Sequence, residues 1–219
     1  MNRPALSKTS YPQRSCEIGI VHLGYGAFHR AHQAVYFDNL MDTTGDTRWG
    51  IAAVNLRSVD SEPFSKASEL RDGYLLKTIE PNGNNNFCLV RSHIKFVDAA
   101  IDVTAAHQLF ALPSVTIVTI TVTESGYFFN NNWRLNLNEP EIQAGLSGKK
   151  SETIYNFLAG ALGFRAWRLN EPISILCCDN VRNNGRLLET AFLDYLEAKN
   201  LPDLLDWVRK NVSFPSSMV

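Results

Sequence analysis

The first quarter of the chain alternates between short apolar runs and one longer segment with helical periodicity. Residues 18–23 (IGIVHL) form an apolar run of strand length that stops at Gly24. Residues 28–42 repeat apolar side chains at near-helical spacing until Gly45. Residues 49–56 (WGIAAVNL) form a second apolar run. Together these segments predict a strand–helix–strand unit of the kind that builds parallel sheets.

The same alternation continues towards the C-terminus. A short polar helix is predicted near residues 61–70, and "TIVTITV" and "PISILCC" are apolar runs typical of central parallel strands. A long amphipathic helix is predicted to follow Ser151, which we expect to act as its N-cap. Two further helices are predicted in "NNGRLLETAFLDYLEAKN" and "LPDLLDWVRKNV".

One stretch interrupts this order. "YLLKTI" and "FCLVRSHIKFV" read as extended segments, and the turn-rich "EPNGNNN" separates them, which predicts a β-hairpin attached to the main sheet. Strands separated by helices indicate a doubly wound, mostly parallel α/β sheet with right-handed crossovers. We therefore expect one α/β domain over residues 1–219, with an inserted β-hairpin.

Composition narrows the possible partners. The 219 residues are 45% hydrophobic and 20% charged, with a formal net charge of −1, and Lys and Arg do not cluster. Nucleic acid is therefore not an expected partner, because phosphate neutralisation needs clustered basic residues. No apolar stretch is long enough for a bilayer, and residues 1–15 lack the apolar middle of a signal peptide. We expect no membrane association and a cytoplasmic location.

The four cysteines give no sign of a metal or redox site. Cys16, Cys88, Cys177 and Cys178 show no C-x-x-C spacing. Cys177 and Cys178 are adjacent in a strand, so their side chains point to opposite faces and are poorly placed to share a metal. We expect ordinary buried thiols.

The first strand–helix junction carries the most informative motif. In "GYGAFHRAH", Gly24 and Gly26 have the spacing of a dinucleotide-binding turn, but His29 stands where a third glycine is expected. Free N–H groups at a helix N-terminus can hold a diphosphate, and missing side chains let the backbone approach it closely. We expect looser packing or a shifted helix at His29. The motif still predicts a Rossmann-like nucleotide-binding turn.

The basic side chains of this helix allow other interpretations. His29 and His32 lie three residues apart, which puts them on one helix face, but a metal site needs further ligands that the sequence does not place nearby. We therefore expect no metal, and packing or capping roles for both histidines. Arg30 could supply a cation for phosphate or lie in solvent.

The loop after the second strand should meet the adenosine ribose. Asp60 is the candidate carboxylate, because an acidic residue there accepts hydrogen bonds from the ribose and repels the 2′-phosphate of NADP. Arg57 lies close by and would suit that phosphate. The balance favours NAD, with NADP the less favoured coenzyme.

Polar residues follow two further strands. Glu124 comes after the strand in "TITVTESGY" and Asn180 after the strand in "CCDNVRNNG", at the carboxyl edge where α/β sheets place ligands. The Asn180 amide could donate to a carbonyl oxygen that becomes an alkoxide during hydride transfer. The alternative is that Asp179 and Asn180 cap the next helix.

These segments together resemble one known family. "IVHLGYGAFHRAHQAVYFDNL", "WGIAAVNLRS", "TITVTESGY", "CCDNVRNNG" and "VSFPSSMV" are similar, in this order, to signatures of the polyol-specific long-chain dehydrogenases, the family of mannitol 2-dehydrogenase and fructuronate reductase. The resemblance runs from about residue 18 to residue 219. It makes His29 the variant typical of this family.

The resemblance implies NAD(P)-dependent, metal-independent interconversion of a polyol or aldonate with a 2-keto sugar or 2-keto sugar acid. It implies that the coenzyme turn comprises Gly24, Gly26, Phe28 and His29, and that Asp60 binds the ribose. It further implies that Glu124 lies near the active site and that Asn180 polarises the substrate oxygen. Mannitol-type and fructuronate-type substrates both remain open.

One departure from the family is large. Family members carry a second, mostly helical domain with a lysine general base in a K-x4-N-x2-H pattern, and this pattern does not occur in the 219 residues. We expect the chain to be the nucleotide-binding domain of a longer enzyme, which binds coenzyme but turns over substrate poorly. The alternative is a catalytically silent nucleotide-sensing or interaction module. The oligomeric state is open.

Overall fold

The computed structural model describes residues 6–70, 72–122 and 124–218, without the side chains of residues 124 and 125. Its strands are β1 Leu6–Lys8, β2 Ile18–Leu23, β3 Gly50–Asn55, β4 Tyr74–Ile79, β5 Asn85–Val90, β6 His93–Asp98, β7 Ile117–Ile120, β8 Ile173–Cys177 and β9 Val212–Ser213. Its helices are α1 Ala27–Ala31, α2 Gln33–Thr44, α3 Ser61–Ser68, α4 Val103–Phe110, α5 Pro140–Leu146, α6 Ile154–Arg168, α7 Asn184–Ala198 and α8 Pro202–Asn211.

The main sheet has six parallel strands in the order β6-β3-β2-β7-β8-β9. Chain order runs outwards from β2 on one side and from β7 on the other, so the sheet is doubly wound and its switch point lies between these two strands. The predicted mostly parallel α/β fold is confirmed. The carboxyl ends of all six strands therefore lie at one edge of the sheet, where folds of this class bind ligands.

The hairpin is present, but its predicted attachment is wrong. β4 and β5 pair antiparallel, and β1 adds to β5 in parallel, which makes a separate three-stranded sheet. Between β5 and β6 the chain passes from this sheet to the main sheet, and two hydrogen bonds to α2 hold it there. The Arg91 backbone N–H donates to Asp38 at 2.8 Å, and the Ser92 hydroxyl donates to the Ala34 carbonyl at 2.7 Å.

The helix predicted over residues 28–42 is divided into two. His32 has φ −124° and ψ −78°, values outside the helical region, so α1 ends after five residues and α2 starts at Gln33. Gly45 ends α2 in the left-handed conformation, with φ 69° and its N–H on the Met41 carbonyl, as the sequence predicts. The glycine turn is therefore followed by a short helix that can differ in direction from α2.

The start of α6 also differs from the prediction. Thr153, not Ser151, is the N-cap, and its hydroxyl accepts from the Asn156 N–H at 3.3 Å. The Ser151 hydroxyl instead donates to the Glu141 carbonyl at 3.0 Å, in the segment that precedes the helix. Both residue types suit capping, so the local pattern alone did not decide between them.

The largest core cluster lies where α4, α6 and α7 cover the main sheet. A buried guanidinium closes one end of this core: Arg165 donates to the carbonyls of Phe110, Val115, Glu171 and Pro172 at 2.6–3.1 Å. Because these carbonyls come from the segments that lead into β7 and β8, Arg165 fixes how both strands enter the sheet. No helix in the described ranges has the length and apolar character that crossing a bilayer requires.

Candidate functional site

Gly24 lies directly at the switch point of the main sheet. Its φ is +106°, and a Cβ at this position would lie 2.6 Å from the Thr121 carbonyl oxygen at the end of β7. Its N–H donates to the Val54 carbonyl of β3 at 2.9 Å. A side chain is thus excluded both by backbone conformation and by contact with β7. The predicted turn is where a nucleotide-binding turn should be.

Gly26 has a different role. It is the N-cap of α1 with an ordinary φ of −71°, and a Cβ there would meet no atom within 4 Å. The space above Gly26 is therefore open. The first amides of an α-helix have no partner within the helix, so the backbone at this position can receive an anion.

The side chain of Tyr25, between the two glycines, holds the turn in place by packing against α3 and β6. Its ring contacts those of Phe64, His93 and Phe96 edge-on, with centroids 5.2–5.8 Å apart. The Arg30 guanidinium lies over the other face, 5.2 Å from the Tyr25 centroid, and therefore does not extend freely into solvent. Sequence reasoning did not identify Tyr25, because its neighbours come from β6 and α3.

The side chain of His29 points into the protein. The residue is 1% exposed, and its ring stacks on that of His22 in β2 with a centroid distance of 3.3 Å. Its Nε2 lies 2.9 Å from His93 Nε2, and its Nδ1 lies 2.9 Å from Gln33 Oε1. The imidazole fills the space beneath the turn, so His29 can meet a coenzyme only through its backbone.

The hydrogen bonds around His29 fit one set of neutral tautomers. If His29 Nδ1–H donates to Gln33, His29 Nε2 can accept from His93 Nε2–H. The Gln33 amide then donates to Cys178 Sγ at 2.7 Å, which links α2 to the end of β8. Burial lowers the pKa of His29 to about 4, and lowers the pKa of His22 and His93 well below the usual histidine value.

The other predicted residues of this helix lie at its surface. Phe28 is 39% exposed, and its ring is tilted against that of His32, with centroids 4.8 Å apart. His32 lies at the break between α1 and α2, so it does not share a buried face with His29. Within the described ranges no group of three or more His, Cys, Asp or Glu residues is arranged to hold a metal.

Asp60 ends a short 3-10 helix, Ser58–Asp60, in the loop that follows β3. Its carboxylate is half exposed and lies 3.6 Å from Arg57 Nε. Asn55, the last residue of β3, fixes this loop: its amide donates to the Arg57 carbonyl at 2.9 Å and to Asp98 at 3.0 Å. Sequence reasoning placed the loop correctly but missed Asn55, although a lone amide at the end of an apolar strand was a usable signal.

A second carboxylate also reaches this loop. Glu152, in the segment before α6, accepts a hydrogen bond from the Ser58 backbone N–H at 3.0 Å. Lys150 Nζ lies 3.3 Å from the same carboxylate. A cavity of about 560 Å³ opens beside it, between the loops after β3 and β6 and the start of α6; its lining includes Leu56, Ala99, Ile101, Glu152 and Phe157. No local pattern identifies Glu152, which is 94 residues away from Ser58.

Asn180 is exposed in the loop after β8, at the carboxyl edge. The capping alternative for Asp179 and Asn180 is wrong, because the residue before α7 is Asn183. Asp179 instead accepts from the Val122 N–H at 2.9 Å and from the Tyr127 hydroxyl, so it joins the loops after β7 and β8. Burial raises the pKa of Asp179 although these bonds oppose the shift.

The backbone of Glu124 begins a 3-10 helix, Glu124–Tyr127, after β7. Its side chain lies outside the part of the chain that the structure describes. The loops of Gly24, Asp60, Glu124 and Asn180 thus follow β2, β3, β7 and β8 at one edge of the sheet. This arrangement can hold an extended dinucleotide and leave Asn180 accessible to a second small molecule.

Comparisons with known proteins match the chain to a Rossmann domain. The family model of the mannitol dehydrogenase Rossmann domain matches residues 18–219. D-arabinitol 4-dehydrogenase of Klebsiella pneumoniae is 36% identical over 200 residues, which are 91% of this chain and 43% of that protein. Mannitol 2-dehydrogenase of Emericella nidulans is 35% identical over an alignment 221 residues long, which covers 96% of this chain and 42% of that protein.

Solved structures show the same likeness. Pseudomonas fluorescens mannitol 2-dehydrogenase, in a ternary complex with NAD and D-mannitol, superposes with a TM-score of 0.89 at 29% identity. The match covers 97% of this chain and 43% of that one. A substrate-free D-sorbitol dehydrogenase gives a TM-score of 0.87 at 28% identity, over 98% of this chain and 44% of that one. The chain therefore spans less than half the length of these relatives.

Proposed function

The chain belongs to the mannitol dehydrogenase family, and from that premise we propose that it binds NAD and serves an oxidoreductase acting on a polyol. The observation that carries this proposal is the open backbone at Gly26, directly after a Gly24 that is packed against β7. Such a turn at the switch point suits the diphosphate of a dinucleotide. The ternary complex of the Pseudomonas fluorescens relative contains this coenzyme.

The adenosine half of NAD fits the part of the carboxyl edge that β3 and β6 form. Asp60 lies in the loop that in this fold meets the ribose hydroxyls. The neighbouring cavity of about 560 Å³ has apolar walls that include Leu56 and Phe157, which suits a planar base. We assign the adenine to this cavity.

With the adenosine half placed there, the nicotinamide half of NAD lies near Asn180. NAD, when bound, accepts a hydride from the carbon of a secondary alcohol. Asn180 can donate a hydrogen bond to the alcohol oxygen as it becomes a carbonyl, and Asp179 holds its loop against the loop after β7. The Glu124 side chain is a further candidate for this end of the site. The alcohol proton needs a base, which by family resemblance is the lysine of a K-x4-N-x2-H pattern not found in these 219 residues.

The names of the relatives support a proposal for the substrate class. Two of them are named for D-arabinitol and mannitol, so a linear polyol and its 2-keto sugar are the proposed pair. An aldonate with its 2-keto sugar acid, of the mannonate and fructuronate type, is the second candidate. The alternative to an enzyme is a nucleotide-sensing module of the same fold, which would need the coenzyme site but not Asn180.

Calorimetric titration with NADH tests the coenzyme site. We expect the wild-type chain to bind NADH, and Gly26→Ala to weaken binding by at least about tenfold because the new Cβ enters the space of the diphosphate. Gly163→Ala is the matched control: it also adds a methyl group at a position with room for it, where the nearest atom, of Leu204, lies at 3.8 Å. Absence of NADH binding by the wild type would refute both the enzyme and the sensor.

Turnover separates these two functions. The 219 residues supplied with D-mannitol or D-arabinitol and NAD should produce NADH slowly or not at all. A polypeptide that also contains the family's lysine pattern should produce it rapidly, and should lose this activity when Asn180 is replaced. Tight NADH binding without polyol oxidation by such a polypeptide would favour the sensor.

A further inference from the structure

The loop that follows β3 contains the donors that a 2′-phosphate would need. Arg57 offers a guanidinium and Ser58 offers a backbone N–H and a hydroxyl, and Asn55 holds this backbone in place through the Arg57 carbonyl. Loops of this kind accept NADP in other dinucleotide-binding folds when an arginine faces the ribose. The residue types alone therefore do not explain a preference for NAD.

The structure shows that one of these donors, the Ser58 N–H, already binds an anion. The Glu152 carboxylate accepts the Ser58 N–H at 3.0 Å and is itself paired with Lys150 at 3.3 Å. Its side chain is 25% exposed, so the charge is only partly screened by solvent. Burial raises the pKa of Glu152, but hydrogen bonds from the Ser58 backbone and side chain and from Lys150 lower it overall, so the carboxylate is ionised at neutral pH.

Asp60 is less well placed to exclude a phosphate by itself. Its side chain is 52% exposed, and its nearest ionic partner is Arg57 at 3.6 Å. Exposed ion pairs of this geometry are weak and easily rearranged, so Arg57 could turn from Asp60 to a phosphate at little cost. Glu152 differs, because it binds the loop backbone and borders the cavity to which we assign the adenine.

From these contacts we infer that Glu152 is an internal anion that occupies the place of a 2′-phosphate, and that it is a specificity-determining residue for NAD over NADP. This inference rests on the proposed coenzyme function and names a second determinant beside Asp60. Glu152 acts in two ways: it uses the Ser58 donor, and it repels a second anion at the same loop. Without its charge, Arg57, Ser58 and Lys150 together form a phosphate-binding set.

The test compares dissociation constants for NADH and NADPH, measured by calorimetry on the whole chain. Glu152→Gln keeps an acceptor for Ser58 but removes the charge, and should lower the NADPH-to-NADH ratio of dissociation constants by about tenfold. Adding Lys150→Met to this variant should reverse much of this decrease in the ratio. Glu189→Gln in α7 removes the same charge far from the loop and should leave the ratio unchanged.

A second variant does not touch the Ser58 contact. Lys150→Glu adds a negative charge beside Glu152 and should raise the same ratio. Urea unfolding of each variant identifies any that fail to fold. An unchanged ratio in both Glu152→Gln and Lys150→Glu would overturn the inference, as would an equal loss of affinity for both coenzymes, which indicates a purely structural Glu152. A wild-type chain that binds neither coenzyme would instead refute the proposed function.

Discussion

The imidazole of His29 stacks on that of His22, with ring centroids 3.3 Å apart and ring planes 7° apart. The place that a third glycine takes in other dinucleotide-binding turns is thus filled by a ring from the helix lying on a ring from the strand. Both rings are buried, and His93 meets His29 from the side at 2.9 Å between the two Nε2 atoms. This packing requires all three histidines to be neutral, since charging one would place a cation among its neighbours.

Acid should therefore destabilise the protein through this cluster. The folded-state pKa of His29 is lowered to about 4, whereas an unfolded histidine titrates near its usual value, so the unfolded state binds the proton first. The contribution is present above about pH 6.5 and is lost as the pH falls towards 4. In that window the free energy of unfolding should fall by about 1.4 kcal/mol per pH unit for each such histidine.

Urea unfolding at several pH values measures this slope. His29→Gln should lower the number of protons taken up on unfolding by about one. The free energy of unfolding should then depend less steeply on pH. His32→Gln makes the same change at an exposed histidine and should leave the slope as in the wild type. Equal slopes in the wild type and His29→Gln would contradict the neutral cluster.

Gly24→Ala should damage both the fold and the coenzyme site. The substitution puts a Cβ 2.6 Å from the Thr121 carbonyl at φ +106°, which should cost about 2–4 kcal/mol of unfolding free energy and displace the turn. Gly45→Ala is the strain-matched control, because Gly45 also has positive φ, at +69°, but lies in open space at the end of α2. That control should lose about 1 kcal/mol and keep its NADH affinity.

Asp60→Ala should weaken NADH binding and relax the preference for NAD over NADP. The reason is the loss of a ribose acceptor together with a negative charge, while Arg57 is released from its contact at 3.6 Å. We expect a smaller effect on the NADPH-to-NADH ratio than for Glu152→Gln. Selectivity identical to that of the wild type would remove Asp60 from the site.

Asn180→Ala should affect catalysis without affecting folding. In a polypeptide that turns over a polyol, kcat should fall by about 100-fold while the dissociation constant for NADH stays the same, since the lost hydrogen bond serves the substrate oxygen. Asp179→Asn is the comparison, because it weakens the bonds to Val122 and Tyr127 that join two loops. That variant should lower stability as well. Full activity of Asn180→Ala would exclude the proposed role.

The pattern of apolar residues was sufficient to predict most strands of the main sheet. The runs that became β2, β3, β7 and β8 are apolar on both faces, and the chain order of strands and helices leaves few possible topologies. The two-residue strand β9, Val212–Ser213, was missed because its length carries no pattern. α4 was missed as well, since it follows directly after the irregular stretch around the hairpin.

The features that were wrong or missed depend on contacts between distant residues. The hairpin lies in its own sheet because β1, Leu6–Lys8, pairs with β5, about 80 residues later. The break at His32 accompanies the burial of His29 against β2 and β6. Glu152 binds the Ser58 loop from 94 residues away, and Asn55 binds Asp98 43 residues further along the chain. Local propensity contains no information about such partners, whereas the glycine turn is local and was therefore predictable.

The position of β9 has a practical consequence for experiments. β9 runs parallel to β8, Ser216 pairs with Cys177, and the Ser217 hydroxyl donates to the Cys177 carbonyl at 2.6 Å. Residues 216–217 therefore lie at the carboxyl edge, beside the loop of Asn180. A fluorophore attached at Met218, whose side chain is fully exposed, would therefore lie at this edge and report a ligand bound beside Asn180 by a change in its emission.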